Sequence, residues 1–349
     1  MSKRSALVTA AAVALLLGGA GCDDVLSSLP PQDAAAAQSG WTVLSAGTAN
    51  LYAVSGASDS SVWAVGDRGT ILYWNGTTLA PQTSNTGAAL RGVWAVDATH
   101  VYAVGDGGTF LQLQGAAWQP IAAAVGVTQQ ILNGVWADST RIVAVGSNGT
   151  VVLGTIAATG TTFQVLKVVI NGLPATENLF GVTGTPMGVV TIVGALGVVL
   201  QLAPASTTPS RLNVPSFSKL LSAATPGGPM GPFLVGQQGS VYQAVGLSLV
   251  TGCPQSALRA ATTTPTSSSV WTAGWDGTIC QIQLTGGQPS SVTAFPYTDA
   301  RWFNGIYASS ATTLWVVGAS GTMLHGLPTT PSTPTPGDAS VGAADAGGG

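Results

Sequence analysis

Val65–Trp74 reads VGDRGTILYW: an apolar strand end, a tight turn held between two glycines, and a second apolar strand. The pattern returns as VGDGGTFLQL from Val104, VGSNGTVVLG from Val145 and VGALGVVLQL from Val193. It returns again as VGQQGSVYQA from Val235, AGWDGTICQI from Ala273 and VGASGTMLHG from Val317. Repeated hairpins spaced roughly 40 residues apart have the period of a β-propeller blade, well above that of a leucine-rich repeat. Helical repeats share such periods, but these units are rich in Val, Thr and aromatics around a glycine centre. That composition suits pleated strands and turns. The second glycine of each copy, Gly69 in the first, supplies the positive φ that a tight hairpin needs.

Working outward, each unit has an inner strand A, such as Gly92–Val96 or Gly134–Ala137. Strand B follows: Val62–Val65, Val101–Val104, Ile142–Val145, Phe233–Val235, Val270–Ala273 and Leu314–Val317. Strand C comes after the glycine turn, and a less regular strand D ends the unit. The strands are nearly continuous apolar runs, the pattern of sheets buried on both faces. Blades 4 and 5 match least well, with Pro204, Pro209, Pro215, Pro226, Pro229 and Pro232 in longer loops. The last unit turns to proline after its third strand, whereas Trp41–Ala46 precedes the first strand A and has no blade of its own. Pairing the two removes an open edge and fastens the ring. The expected fold is all-β, a seven-bladed β-propeller of four-stranded blades over residues 41–327, closed by an N-terminal strand in the last blade.

The chain has 349 residues, 46% hydrophobic and only 7% charged, with a formal net charge of −3. It is long enough to bury a large core, and a closed repeat array overrides the two-domain prior that length alone gives. Glu177 is the sole glutamate, and no basic cluster exists to hold nucleic acid. Residues 1–22 read as an export signal: Lys3 and Arg4, an apolar run Ala6–Leu17, then small residues up to Cys22. They resemble a bacterial lipoprotein signal, although Gly19 stands where the lipobox usually carries leucine. That resemblance implies lipidation at Cys22 and a protein anchored in the bacterial cell envelope, at the outer membrane or cell surface. Residues 23–40 read as a flexible tether. Residues 328–349, Pro/Thr-rich and then Ala/Gly-rich, are too poor in apolar surface to offset ordering entropy.

Chemistry-bearing residues are few. Asp67, Asp106 and Asp276 lie in the B–C turns, where Asp and Asn tolerate left-handed backbone and bond to nearby main chain, so they read as turn formers. One carboxylate per turn falls short of the six to eight oxygens that calcium takes. Trp63, Tyr102, Phe233, Trp271 and Trp315 share a strand-B slot, and Tyr52, Trp94, Trp136 and Tyr307 a strand-A slot, both read as inter-blade packing. Trp275 and Leu196 differ, because they fall at turn tips, where an apolar residue marks a contact surface. Cys253 and Cys280 fall near one face of adjacent blades, where export permits a disulfide. His100 and His325 have no metal-ligand spacing, there is no G-x-S-x-G nucleophile, and no carboxylate pair for glycoside hydrolysis can be nominated. Neither a cofactor nor a metal is expected.

The repeated VxAVGxxGTIxxxxG pattern, best over Val62–Gly76, resembles the BNR/Asp-box-like and WD/YVTN-like propeller repeats. It is similar in particular to bacterial propellers like the photosystem II assembly and stability factor family. The Asp-box of sialidases, S-x-D-x-G-x-x-W, is not matched, because every turn lacks the Ser-x-Asp arrangement. The resemblance implies a non-enzymatic scaffold for a protein partner or envelope complex. The alternative is a carbohydrate-binding or sialidase-like propeller. The expected binding face bears the B–C turns and D–A connections, with Trp275 as anchor, Leu196 as a second apolar tip, and Arg68, Asp67 and Asp276 around them.

Overall fold

The computed structural model describes residues 40–328, apart from 46, 122–127, 159, 171, 215–218, 227–230, 245–247, 264–268, 296 and 298–300. Cys22, the tether up to residue 39 and the tail from residue 329 lie outside the described residues. Each blade is a four-stranded antiparallel sheet, and seven such sheets are present. In blade 1 the strands are Leu51–Ser58 (A), Ser61–Gly66 (B), Ile71–Trp74 (C) and Leu79–Gln82 (D). The later A strands are Leu90–Ala95, Leu132–Ala137, Leu179–Gly184, Leu220–Ala224, Leu258–Thr263 and Phe303–Ser310. Each touches the next, and the seventh touches the first, so the inner strands form a closed ring.

The closure is as the sequence implies. Trp41–Ser45 pairs antiparallel with Thr322–Gly326, strand C of blade 7, with Trp41 opposite Gly326 and Leu44 opposite Met323. Trp41 is buried beside Trp271, Phe295 and Leu314, so this strand also joins blade 7 to blade 6. The core lies between blades: Trp63, Val65 and Ile71 of blade 1 pack on Leu90, Val101 and Trp118 of blade 2. The proline-rich blades 4 and 5 keep their sheets but shorten strand D, to Ser210–Arg211 and Ser248–Val250. Before blade 4, Val169–Ile170 pairs with Leu173–Pro174 in a small extra hairpin.

The paired glycines have two separate physical causes. Gly66 has extended backbone, but a Cβ there would stand 2.0 Å from the Asn50 carbonyl oxygen. That carbonyl approaches because it accepts the Asp67 N–H at 2.9 Å, tying the B–C turn to the start of strand A. Gly69 has φ +70° and a Cβ there would stand 2.0 Å from the Thr86 carbonyl oxygen of the D–A connection. The residue before it, Arg68, is also left-handed at φ 55°, as are Leu196, Asp276 and Ser320 in equivalent turns. Two successive left-handed residues turn the chain, and the glycine is the one with no room for a side chain.

Two sequence expectations are corrected here. Only Asp276 occupies a left-handed position; Asp67 and Asp106 precede it in their turns, and their side chains reach other side chains instead. Tyr52 does not share the slot of Trp94, Trp136 and Tyr307. Those three stand opposite Tyr102, Val143 and Trp315 on strand B, whereas Tyr52 is the extra residue of a bulge between Leu51 and Ala53.

Candidate binding site at the channel mouth

The bulge at Tyr52 is not an isolated feature. Register shifts occur at the same place in every A strand: between Leu90 and Gly92, Leu132 and Gly134, Leu179 and Gly181, Leu220 and Ser222, Leu258 and Ala260, and Phe303 and Gly305. A bulge re-aims the extra side chain out of the ladder. Here the extra residues are Tyr52, Arg91, Asn133, Phe180, Leu221, Arg259 and Asn304, and all of them line the central cavity, whose volume is about 640 Å³. Strand A begins on the face that carries the B–C turns, so these side chains ring the mouth of the channel on that face. The position after each is small because neighbouring A strands crowd it: a Cβ on Gly92 would stand 3.1 Å from the Gly134 Cα, and one on Gly181 2.9 Å from the Ser222 Cα.

One half of the mouth is internally satisfied. The Tyr52 hydroxyl donates to Asp67 at 2.6 Å, and Asn50 donates to the other carboxylate oxygen at 2.9 Å. Burial, then the Asp67 carboxylate, pushes the Tyr52 hydroxyl pKa up. Arg91 grips Asp106 through two nitrogens, which raises its own pKa, and its guanidinium lies 5.6 Å above the Tyr52 ring. Asn133 and Asn304 donate across blade boundaries to the Leu179 and Leu51 carbonyls, at 2.8 and 2.9 Å.

The other half is apolar and cationic. Phe180 lies under the Lys219 ammonium at 4.2 Å, and Arg259 lies 5.9 Å from the Trp275 ring. Trp275 stacks on Trp302 at 5.2 Å with planes 21° apart, and its indole N–H is buried without an acceptor among the described residues. Trp275 is therefore half-buried and packed, not the free tip that its sequence position implies; Trp302, 54% exposed, is the ring that faces solvent. Leu196 is 64% exposed at its tip, and Arg68 and Asp276 are exposed at theirs. Asp67 is held within the mouth and faces Tyr52.

Cys253 and Cys280 are joined by a disulfide, tying the blade 5–6 connection to strand C of blade 6. The opposite face is built differently. Asp97 accepts from the Thr99 and His100 backbone N–H groups, and Asp138 from those of Thr140 and Arg141, so both carboxylates cap their own A–B turns. Hydrogen bonds led by the Thr99 hydroxyl hold the Asp97 pKa well below the usual carboxylate range. Among the described residues no three His, Cys, Asp or Glu side chains converge as a metal site would require.

Sequence reasoning examined the turn tips and passed over the bulge ring. Its signal was nevertheless present. Strand A starts as Leu/Phe-x-Gly/Ala/Ser in every blade: a large apolar residue, then x, which ranges through Tyr, Arg, Asn, Phe and Leu, then a small residue.

No family model matches the sequence, and no curated protein is similar to it at the level of sequence. Solved structures are similar in fold. YCF48 bound to a D1 peptide superposes with a TM-score of 0.63 at 16% identity, covering 82% of this chain and 94% of that one. YCF48 from Cyanidioschyzon merolae gives 0.65 at 14% identity, covering 83% and 99%. The WD40 propeller domain of Doa1 gives 0.63 at 12% identity, covering 82% and 95%. At such identities the likeness is one of fold: this chain is a seven-bladed propeller similar in architecture to YCF48 and to WD40 domains.

Proposed function

We propose that this chain is a non-enzymatic propeller scaffold that binds a protein partner on the face carrying the B–C turns and D–A connections. We propose further that it is exported and held in the bacterial cell envelope by lipid on Cys22, outer membrane or cell surface being the favoured site. The observation that carries the binding proposal is the share of exposed apolar side chains borne by the turns and connections of that face. Ile131, Val169, Leu173, Leu196 and Trp302 belong to its B–C turns and D–A connections, against Val96 and Met187 at the A–B side, while Val165 and Leu249 sit on outer D strands. Exposed apolar clusters with aromatic anchors mark protein contacts. The fold is compatible with such use, since a similar propeller, YCF48, is seen with a D1 peptide bound. A sugar-binding reading draws on the exposed Trp302 ring. A sugar-cleaving one needs two free carboxylates across a bond, whereas Asp67 and Asp106 at this mouth are engaged by Tyr52, Asn50 and Arg91.

The test is capture of partners from native membranes by wild-type protein and by variants of each face. Trp302→Ala and Leu196→Glu should each weaken capture by about 1–3 kcal/mol without lowering the melting temperature much, Trp275→Ala should weaken it with some loss of stability because its ring is packed on Trp302, and Met187→Glu should leave capture unchanged. Retained capture by the first three with loss in Met187→Glu would move the interface to the opposite face. Cys22→Ser should release the protein from the membrane fraction; continued fractionation with membranes would remove the lipid from the proposal. Glycan-array binding that depends on Trp302 would favour the sugar reading.

A further inference from the structure

On the protein-binding reading of this face, the mouth carries an electrostatic imbalance that points to what part of a partner it receives. Arg259 and Lys219 are both partly buried, and burial is the main cause lowering each pKa; the Arg259 charge lowers that of Lys219 further. For Arg259, Tyr52 opposes the effect of burial, and Arg91, across the mouth, lowers the pKa a little further. Among the described residues neither Lys219 nor Arg259 has a carboxylate within ion-pair distance or a hydrogen-bond acceptor for its side chain. The Lys219 ammonium lies over the Phe180 ring and the Arg259 guanidinium near the Trp275 ring. Arg91, three blades away around the ring and lining the same mouth, shows the contrast, since its guanidinium is neutralised by Asp106. Partly desolvated like charges without a counter-charge are unfavourable in the free protein, and a bound anion removes that penalty.

We infer that the mouth beside blades 4 to 6 receives a carboxylate of the partner polypeptide on Arg259, with Lys219 beside it. A neighbouring apolar side chain of the partner then lies against Phe180 and Leu221. The planar guanidinium fork matches a carboxylate with two parallel hydrogen bonds. The walls decide the rest of the chemistry. Phe180, Leu221, Trp275 and Trp302 offer apolar area to one side of the cations, which suits an Asp, Glu or chain terminus next to Leu, Phe or Met. A nucleic acid or an anionic membrane would demand a broad positive field. This chain has only 10 Lys and Arg against 13 Asp and Glu, and Asp67, Asp106 and Asp276 lie on the same face. The two sources of a carboxylate, side chain and chain end, share this chemistry.

The experiment probes the full chain with an array of short random synthetic peptides, half with free carboxy-termini and half amidated. Bound peptides are then titrated against wild type, Arg259→Gln, Arg259→Lys, Lys219→Gln and Trp302→Ala, with a thermal melt for each. The expected result is enrichment of a carboxylate adjoining an apolar residue, and a loss of about tenfold or more in affinity for Arg259→Gln. Arg259→Lys should fall between, and the melting temperature of Arg259→Gln should stay level or rise because repulsion is relieved. Loss on amidation assigns a chain terminus and retention assigns a side chain. Should Arg259→Gln fail to fold, Arg259→Lys and Lys219→Gln carry the same comparison. Peptides that depend on Trp302 but show no acidic preference and no response to Arg259→Gln would overturn this inference and leave the protein-binding reading standing. Displacement of every peptide by inorganic phosphate, without sequence preference, would overturn it too. No bound peptide, or binding indifferent to both Trp302 and Arg259, would overturn both.

Discussion

At the scale of single residues, the first glycine of each repeat is fixed by backbone approach and not by φ. A Cβ at Gly146 would stand 1.9 Å from the Ile131 carbonyl oxygen, which already accepts the Ser147 N–H. Gly146→Ala should therefore destabilise the fold by about 2–4 kcal/mol, measured by denaturant unfolding. Gly87, with nothing within 4 Å of a built Cβ, is the control and should change stability by about 0.5 kcal/mol or less on going to Ala. Equal effects at the two sites would count against the carbonyl contact. His325 makes a second residue-level case. Its ring stacks on Trp315 at 4.1 Å and tilts against Trp74, and burial lowers its pKa while Asp59 opposes the shift. A depressed histidine pKa means that the unfolded chain takes up the proton first. Its stability contribution is thus complete above the ordinary value near 6.5 and shrinks as pH falls through 6.5 toward the lower folded value. The melting temperature of wild type should drop on acidification across that window more than that of His325→Phe, which keeps the ring stack. Parallel curves would remove His325 from the pH response.

Among the elements, the closing strand has the largest consequence for its length. Trp41–Ser45 is five residues long, yet it supplies the outer strand of blade 7 and places Trp41, 6% exposed, among Trp271, Phe295 and Leu314. Trp41→Ala should cost about 3–5 kcal/mol, the range for truncating a buried aromatic, as read from urea midpoints with unchanged slope. An unchanged midpoint would mean that the ring is fastened elsewhere. The A strands are the other decisive element. Their repeated bulge turns one side chain per blade into the mouth, while the small residue that follows lets adjacent strands close around the axis. Cross-blade bonds hold that arrangement, such as Ala95 N–H to the Ser55 hydroxyl at 3.1 Å and Ala308 N–H to Thr262 at 3.2 Å.

For the whole molecule, each inner strand touches two others and the cycle has no free end. Breaking any blade therefore exposes apolar surface on both neighbours, so unfolding should be coupled around the ring. Calorimetry is expected to show one transition, and Trp41→Ala should lower all of it; separate melting of the proline-rich blades 4 and 5 would show that the ring is less cooperative than its contacts imply. The same closure confines the variable surface to the two faces. The sides of the blades are consumed by inter-blade packing, whereas turns and the bulge ring remain free to vary.

The sequence by itself determined the architecture, because a propeller repeats one local solution. The Val-Gly-x-x-Gly turn, the apolar runs beside it and the orphan strand at Trp41 are each short-range signals, and repetition makes them additive. It also placed Cys253 and Cys280 on one face, although only the folded chain shows the two sulfurs joined. The candidate site was read less completely. Trp275 was visible as an apolar residue at a tip, but its burial depends on Trp302, which arrives from the next connection of the chain. Asp67 and Asp106 looked like turn formers, and their partners Tyr52 and Arg91 come from strand A, 15 residues earlier in each case. Arg259 is one of six arginines scattered over the blades in the sequence; that no carboxylate lies within ion-pair distance of it among the described residues follows from how seven blades meet at one axis. Local chemistry sets what each blade is, and ring closure sets which of its side chains meet, because residues far apart in the chain share the mouth only once the last blade has bound the first strand.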